Sequence, residues 1–417
     1  QQAGLVGGPL FTVHKALTAI LLASRLRDRG VAAVPVFWIA SEDHDFEEVN
    51  HVAVPTSAGT LATIRTDPCG HEVDMPVGSV KLCAEILETI DEFFAALPAT
   101  VFTEGLRVIR DTYGNQAVGF VAKSGGDIRA ILPVVEVRSW LTGSRGVAVP
   151  FADYCPALAV DAAAQKLVFD AAVNHGQKRG WKYLELRGGR NLMADAKASL
   201  VFNEHILDLT GGAEKLFMSF AGRMRTAVRK AEKEGVRAEI GSSMEAVKTY
   251  YELHCATRRK HGVPPQPFLF FQNIFNQFIS RKLGIVVIAR QQQVPVAAAV
   301  FIHHGRQVAY KFSASNEAYL NLCGNNVVLW EAIRWYAENG FAAMHFGRTS
   351  IENDGLRKYK IGWAATESKL EYFRYDLAKK SFVTVVDRAE GNQNKWVSRM
   401  PRPLFDLAGR ILYPHLS

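Results

Sequence analysis

The chain has 417 residues, 48% of them hydrophobic, and its 49 basic against 41 acidic side chains leave a net charge of +8. That length suits two or three domains, and a mean hydropathy near zero excludes a disordered chain. No run approaches the ~20 consecutive apolar residues of a membrane span, and the positive surplus suits phosphate-bearing substrates or anionic surfaces. The cysteines, Cys69, Cys83, Cys155, Cys255 and Cys323, are scattered and form no C-x-x-C pair. They read as reduced thiols of a cytoplasmic protein, with no zinc site. The first residue is Gln1 rather than Met, which leaves an upstream segment open.

In chain order, a Gly-rich opening through Gly7, Gly8 and Pro9 precedes an amphipathic helix that Gly30 stops. The apolar run from Val31 to Ala40 has the pattern of a buried parallel strand, and a polar loop from Ser41 to His51 follows. This is a piece of a Rossmann-like unit, in which ligands sit beyond the carboxyl ends of strands. The candidate ligand site therefore combines Gly7 and Gly8 with Asp43, His44, Asp45, Glu48 and His51. The glycines would offer backbone N–H groups to a phosphate at a helix N-terminus. The acidic–histidine cluster suits acid–base work or, more plainly, a polar cap; the spacing of His44 and His51 is not that of a metal-binding helix, and no metal is expected.

The run Gln1–Pro9 with Lys15, and the run Phe37–Asp45 with Glu48-Val49-Asn50-His51, resemble the cysteine ligase family of bacillithiol biosynthesis, BshC. The resemblance covers about a quarter of the chain. It implies a partial Rossmann-like segment over 1–97, either a ligase-like site or a structural remnant.

From Pro98 onward short strands alternate with helices. Ala117–Ala122 and Ile128–Val137 flank Gly125-Gly126 as a hairpin; a helix spans Asp161–Arg179 and a strand Trp181–Arg187. The order then repeats: a basic helix Glu214–Glu234, a strand Val236–Ile240 and a helix Met244–Lys260. A hairpin of Leu283–Arg290 with Val294–His303 follows, then a strand Val308–Ser313 and a helix Asn325–Asn339 stopped by Gly340. Met344–Phe346 leads into a loop Gly347–Ser350, and Lys360 is expected in a loop before the last strand. The domain reading is 1–97, a first half 98–212, a second half 213–380 and a tail 381–417.

Several stretches in order resemble FemAB-like acyltransferases of the GNAT superfamily, of the type associated with exopolysaccharide or PEP-CTERM/XrtA gene clusters. They are Arg225–Val236, Thr257–Pro267, Leu329–Ile333, His345–Ser350 and Leu356–Trp363. The resemblance implies an α/β (α+β) tandem GNAT-like fold. It also implies transfer of an acyl or aminoacyl group from an activated donor to an amine of a sugar, peptidoglycan or exopolysaccharide precursor. Asp153, Arg348 and Lys360 are the expected catalytic residues. Arg225, Arg229, Arg258 and Arg259, as guanidinium forks, with Gly324 and Asn325 at a helix start, are the expected donor-binding residues. Where the acetyl-CoA signature has its second glycine this chain has Asn326, so acyl-CoA, an acyl carrier protein and an aminoacyl-tRNA all stay open as donors. The expected partners are a small-molecule or lipid-linked sugar or peptide substrate, with peripheral membrane contact left open and no DNA. Two other readings stand beside the transferase: ligase activity of the N-terminal segment, and a non-catalytic glycan-binding protein.

Overall fold

The computed structural model describes residues 51–55, 61–65, 102–124, 127–189, 196–385 and 395–416. The chain divides into two compact units, Gln1–Leu97 and Pro98–Ser417. In the first, β1 (His51–Pro55) and β2 (Leu61–Arg65) form an antiparallel pair with His51 opposite Arg65. The β-branched residues of His-Val-Ala-Val-Pro and Leu-Ala-Thr-Ile-Arg favour this extended pairing. His51 thus opens a strand instead of closing a polar loop. Gly7, Gly8, Asp43, His44, Asp45 and Glu48 lie outside the described residues.

The second unit begins with α1 (Phe102–Tyr113), the hairpin β3 (Gln116–Ser124) and β4 (Asp127–Val137), and the short strands β5 (Arg145–Val147) and β6 (Leu158–Ala159). Then come α2 (Ala162–Lys178), β7 (Tyr183–Arg187) and β8 (Leu200–Asp208). The basic stretch expected as one helix is two, α3 (Ala213–Ser219) and α4 (Gly222–Lys233). Phe220, extended at ψ 147°, breaks it and buries its ring beside Trp330 and Trp363. After β9 (Val236–Gly241), α5 (Met244–Lys260), α6 (Phe268–Gln277), β10 (Gly284–Gln291), β11 (Val294–His304) and β12 (Gln307–Ser315), helix α7 (Gly324–Glu338) leads to β13 (Ala343–Ser350). The chain closes with α8 (Asp354–Ile361), β14 (Thr366–Asp376), β15 (Ser381–Phe382), α9 (Lys395–Ser398) and α10 (Arg402–Leu416).

Among the described residues one sheet runs through the unit in the order β3-β4-β5-β7-β14-β8-β13-β12-β11-β10-β9, with β6 and β15 pairing at its side. The residue alternation of its strands explains the layers. In β10, Ile285, Val287 and Ala289 pack with Leu216, Met224, Val328 and Ile333 from α3, α4 and α7. The intervening Val286 and Ile288 pack with Tyr250, Phe271 and Ile274 from α5 and α6, so helices cover both faces. In the other half, α2 packs Ala164, Val168 and Ala172 on Leu132, Val134, Leu184 and Phe373.

The two halves exchange parts. β14, late in the chain, sits between β7 and β8, and β8, from the first half, pairs with β13 of the second. α1 lies before the first hairpin, yet its Val108 and Ile109 bury against α5 and α6. The expected tail contributes β15 and α10, and α10 is held by Arg258, Arg259 and Arg145. The expected boundaries at 212 and 380 therefore do not divide the packing.

Candidate active site

β12 and β13 run parallel and pair only over Gln307–Ala309 with Ala343–His345. Beyond that point β12 stays with β11 and β13 stays with β8, so the two strands part and open a cleft. The parting coincides with a bulge in β13 between His345 and Arg348, where Gly347 takes φ +68°. A β-carbon at Gly347 would lie 3.0 Å from the Asp153 Oδ2, so glycine answers both the left-handed backbone and the close approach. The segment expected as a post-strand loop is thus a bulged strand. The cleft has a volume of about 540 Å³; Lys311, Asn325, Asn326, Arg348, Lys360 and Asp153 are among its lining residues.

Asp153 comes from the first half. β5 and β7 repeat the parallel pairing of β12 and β13, but there the chain returns to the same edge. Ala148 N–H donates to Glu185 O at 2.8 Å and Cys155 N–H to Arg187 O at 2.9 Å. Arg187, itself paired with Glu185, donates to the carbonyls of Val149 and Ala152 at 3.3 and 2.8 Å, fixing the intervening loop. The loop that closes the first half's edge thereby projects Asp153 into the second half's cleft. There its Oδ2 accepts from Lys311 Nζ at 3.1 Å, and its Oδ1 lies 3.8 Å from Arg348 Nε. Burial would raise the Asp153 pKa, but Lys311 and Arg348 outweigh it and hold the carboxyl below its ordinary value. The Arg348 guanidinium lies over the rings of Phe202 and Tyr372 at 4.6 and 5.4 Å, and Tyr372 donates its hydroxyl to the Asp153 carbonyl at 2.6 Å.

Lys360 stands in the last turn of α8 and not in a loop; the Asn353 side chain caps that helix by accepting from Leu356 N–H. Its ammonium donates to the carbonyls of Gly347 and Arg348 at 2.9 and 3.2 Å. Burial lowers its pKa to about 8, against the opposing pull of Asp153 and Glu204. Arg357, one turn earlier, is bidentate to Glu367 on β14 at 2.7 and 2.9 Å, and the same carboxylate accepts from His205 Nε2 at 3.0 Å. These contacts tie α8 to β8 and β14.

The expected donor-binding residues divide. Asn325 lines the cleft in the first turn of α7, and Gly324 starts that helix, where a β-carbon would meet Val296 Cγ2 at 2.9 Å. Arg225 reaches Met218 Sδ at 3.8 Å and Arg229 lies over the Phe217 ring at 5.5 Å; neither lines the cleft. Arg258 donates to the Tyr413 hydroxyl at 2.5 Å, and Arg259 donates to Met400 O at 3.2 Å and covers Phe405. These two arginines anchor α10 and stand away from the cleft. Sequence reasoning missed Lys311, which a lone lysine among the alternating aromatics of Tyr310-Lys311-Phe312 signals, and Arg187, which nothing local marks.

The arrangement sets three cations against one carboxylate in a cleft of ligand size, suited to an anionic substrate group or a developing oxyanion. Among the described residues no cluster of three or more His, Cys, Asp or Glu is placed to hold a metal ion, and no helix is long and apolar enough to cross a membrane.

Comparison with known proteins finds two separate regions of similarity. Residues 1–121 match the family model of the BshC N-terminal Rossmann-like domain of bacillithiol biosynthesis, a stretch that runs on through α1 into β3. Residues 218–360 match that of the acetyltransferase (GNAT) domain. The assigned cysteine ligase BshC of Staphylococcus aureus (strain JH9) is 43% identical over 122 residues, 28% of this chain and 22% of that protein. The chain thus spans about a fifth of the length of the curated relatives it matches. The crystal structure of FemX superposes with a TM-score of 0.52 at 15% identity, covering 69% of this chain and 95% of that one. A tandem GNAT protein from the clavulanic acid biosynthesis pathway gives a TM-score of 0.43 at 9% identity, covering 69% and 88%. Residues 1–121 are thus similar to the BshC N-terminal domain and residues 218–360 to the GNAT acetyltransferase domain, and over 69% of its length the chain shares its fold with FemX.

Proposed function

We propose that the second unit is an acyltransferase that moves an acyl or aminoacyl group from an activated ester or thioester donor to an amine. The acceptor is an anionic sugar, peptidoglycan or exopolysaccharide precursor. The observation that carries this reading is the convergence of Arg348, Lys311 and Lys360 on one cleft where β12 and β13 part. In the reaction the amine nitrogen attacks the donor carbonyl, a C–N bond forms and the C–O or C–S bond breaks. The proton lost by the amine leaves with the hydroxyl or thiol, so no covalent enzyme intermediate is needed. Lys360 and Arg348 neutralise the acceptor's anionic group and the charge that develops on the carbonyl oxygen. Asp153, whose oxygens already face Lys311 and Arg348, serves as the counter-ion that sets those two cations. The Asn325–Asn326 start of α7 is the place for the donor. The ligase reading for residues 1–121 rests on sequence similarity alone.

The test is transfer of radiolabelled acyl groups from acetyl-CoA and from charged tRNA to amino-sugar and muropeptide precursors. Arg348→Ala and Lys360→Ala should each lower kcat/KM at least ~10-fold, about 1.4 kcal/mol of transition-state stabilisation. Because Lys360 acts as a cation and titrates near 8, the wild-type rate should fall as pH rises through that value. A rate that rises instead would assign Lys360 as a base. Unchanged rates in both variants would take Arg348 and Lys360 out of the chemistry, and no transfer by the wild type from either donor would leave the binding-protein reading.

A further inference from the structure

We propose that the surface formed by α10 and the loop after β4 docks on an anionic lipid bilayer. α10 has two apolar faces. Phe405, Gly409 and Tyr413, spaced four residues apart, are buried against the body of the unit. Leu404, Leu407 and Ile411 fall on the opposite face and are 54%, 48% and 50% exposed. Beside them, Trp140 and Leu141 at the loop tip are 80% and 52% exposed, and the Trp140 ring packs edge-on to His415, one turn beyond Ile411. Loop and helix form one rigid platform: Arg145 donates to the His415 carbonyl at 2.8 Å and to Thr142 Oγ1 at 2.6 Å.

Five large apolar side chains held outward together exceed the scattered exposure expected of an ordinary surface. The charge around them selects the occupant. Exposed Arg399 precedes the helix, exposed Arg410 flanks its outward face, and exposed Lys182 donates to Thr142 O in the loop at 2.9 Å. The only carboxylate in the two segments, Asp406, is paired with Arg402 at 3.0 Å. A leucine-rich face with a tryptophan at its edge and basic residues at its rim matches a helix lying in the headgroup layer of an acidic membrane. Such docking would bring the chain to lipid-linked substrates without a spanning segment.

The experiment is flotation of the full chain with phosphatidylglycerol–phosphatidylcholine vesicles and with pure phosphatidylcholine vesicles, and dynamic light scattering without lipid. The expected result is at least ~10-fold stronger partitioning to the acidic vesicles, weakened by salt. The triple variant Leu404→Gln, Leu407→Gln, Ile411→Gln and the single variant Trp140→Gln should lose it while melting at the wild-type temperature. Equal partitioning to both vesicle types, no partitioning of the wild type, or unchanged partitioning of both variants would overturn the proposal. A lipid-free dimer that the triple variant dissociates would also overturn it, assigning the patch to a second copy.

Discussion

Lys360 is 6% exposed, and its ammonium is satisfied by two backbone carbonyls without a direct carboxylate contact. Burial without a salt bridge disfavours the charged form, which is why its pKa falls from 10.5 to about 8 although Asp153 and Glu204 pull the other way. The consequence for stability runs opposite to that of a lysine gaining a partner. Between pH 8 and the unfolded value the unfolded chain binds more protons at this site than the folded one, so stability rises with pH across that window. Below it the folded protein carries the full cost of the buried charge, roughly 3 kcal/mol for a shift of this size. Lys360→Met should therefore remove a rise in stability between pH 7 and 10 that the wild type shows by urea denaturation. Parallel curves for the two proteins over that range would mean that Lys360 stays protonated and solvated. A destabilising charge kept at the cleft is the kind of local cost found where a side chain serves chemistry.

At the scale of elements, legibility followed local periodicity. The β3–β4 and β10–β11 hairpins, α5 and α7 were readable because apolar periodicity and glycines such as Gly340 mark them in sequence. Of the central strands that join the halves, β8 was not, and β14 was expected only as a last strand after Lys360, without its place between β7 and β8. β8 buries Asn203 and His205, and β14 reads Thr-Glu-Ser-Lys-Leu-Glu-Tyr-Phe-Arg-Tyr-Asp, a charged surface pattern. Several of their polar side chains pair with partners remote in sequence: Lys369 with Asn203, Arg374 with Glu185, and His205 with Glu367. No window of sequence shows such pairs. The same holds for the site: Arg348 and Lys360 stand in recognisable motifs and Lys311 has only its place among aromatics to mark it, while the Arg187 clamp on the Asp153 loop emerges only from the register. α10 was read as tail and its anchors Arg258 and Arg259 as donor ligands, because a cation's partner is invisible until the helix is docked. Gly409 provides the test of that docking: a β-carbon there would stand 2.0 Å from the Pro265 carbonyl oxygen. Gly409→Val should cost about 1–3 kcal/mol by overpacking, measured by urea denaturation. A wild-type midpoint would show that the helix does not rest on the Val263–Pro267 segment.

For the whole molecule, the boundary of sequence similarity and the boundary of packing differ. The BshC-type match ends at residue 121, inside β3, whereas the compact unit begins at Pro98. The stretch between belongs energetically to the acyltransferase unit. α1 buries Val108 and Ile109 among Tyr250, Phe270, Phe271 and Phe278, Thr112 accepts from Asn273 at 3.0 Å, and Arg281 pairs with Glu104 at 2.9 Å. β3 meanwhile covers the edge of β4 along its length. A fragment beginning at residue 122 would expose that edge and strip the α5–α6 layer of its cover, losing two large buried side chains worth roughly 1.5–3 kcal/mol each. Against a net stability of about 5–15 kcal/mol for a domain, that loss joined to an open strand edge is decisive. Residues 98–417 should therefore melt in one cooperative transition, and residues 122–417 should aggregate or melt without cooperativity. Cutting between the halves at 212 should fail on both sides, since β14 would leave β7 and β8 unpaired in one piece and β13 would lose β8 in the other. Calorimetry of the four fragments decides it: a cooperative transition for 122–417, for 98–212 or for 213–417 would show that α1, β3 and the exchanged strands are attachments to a unit complete without them.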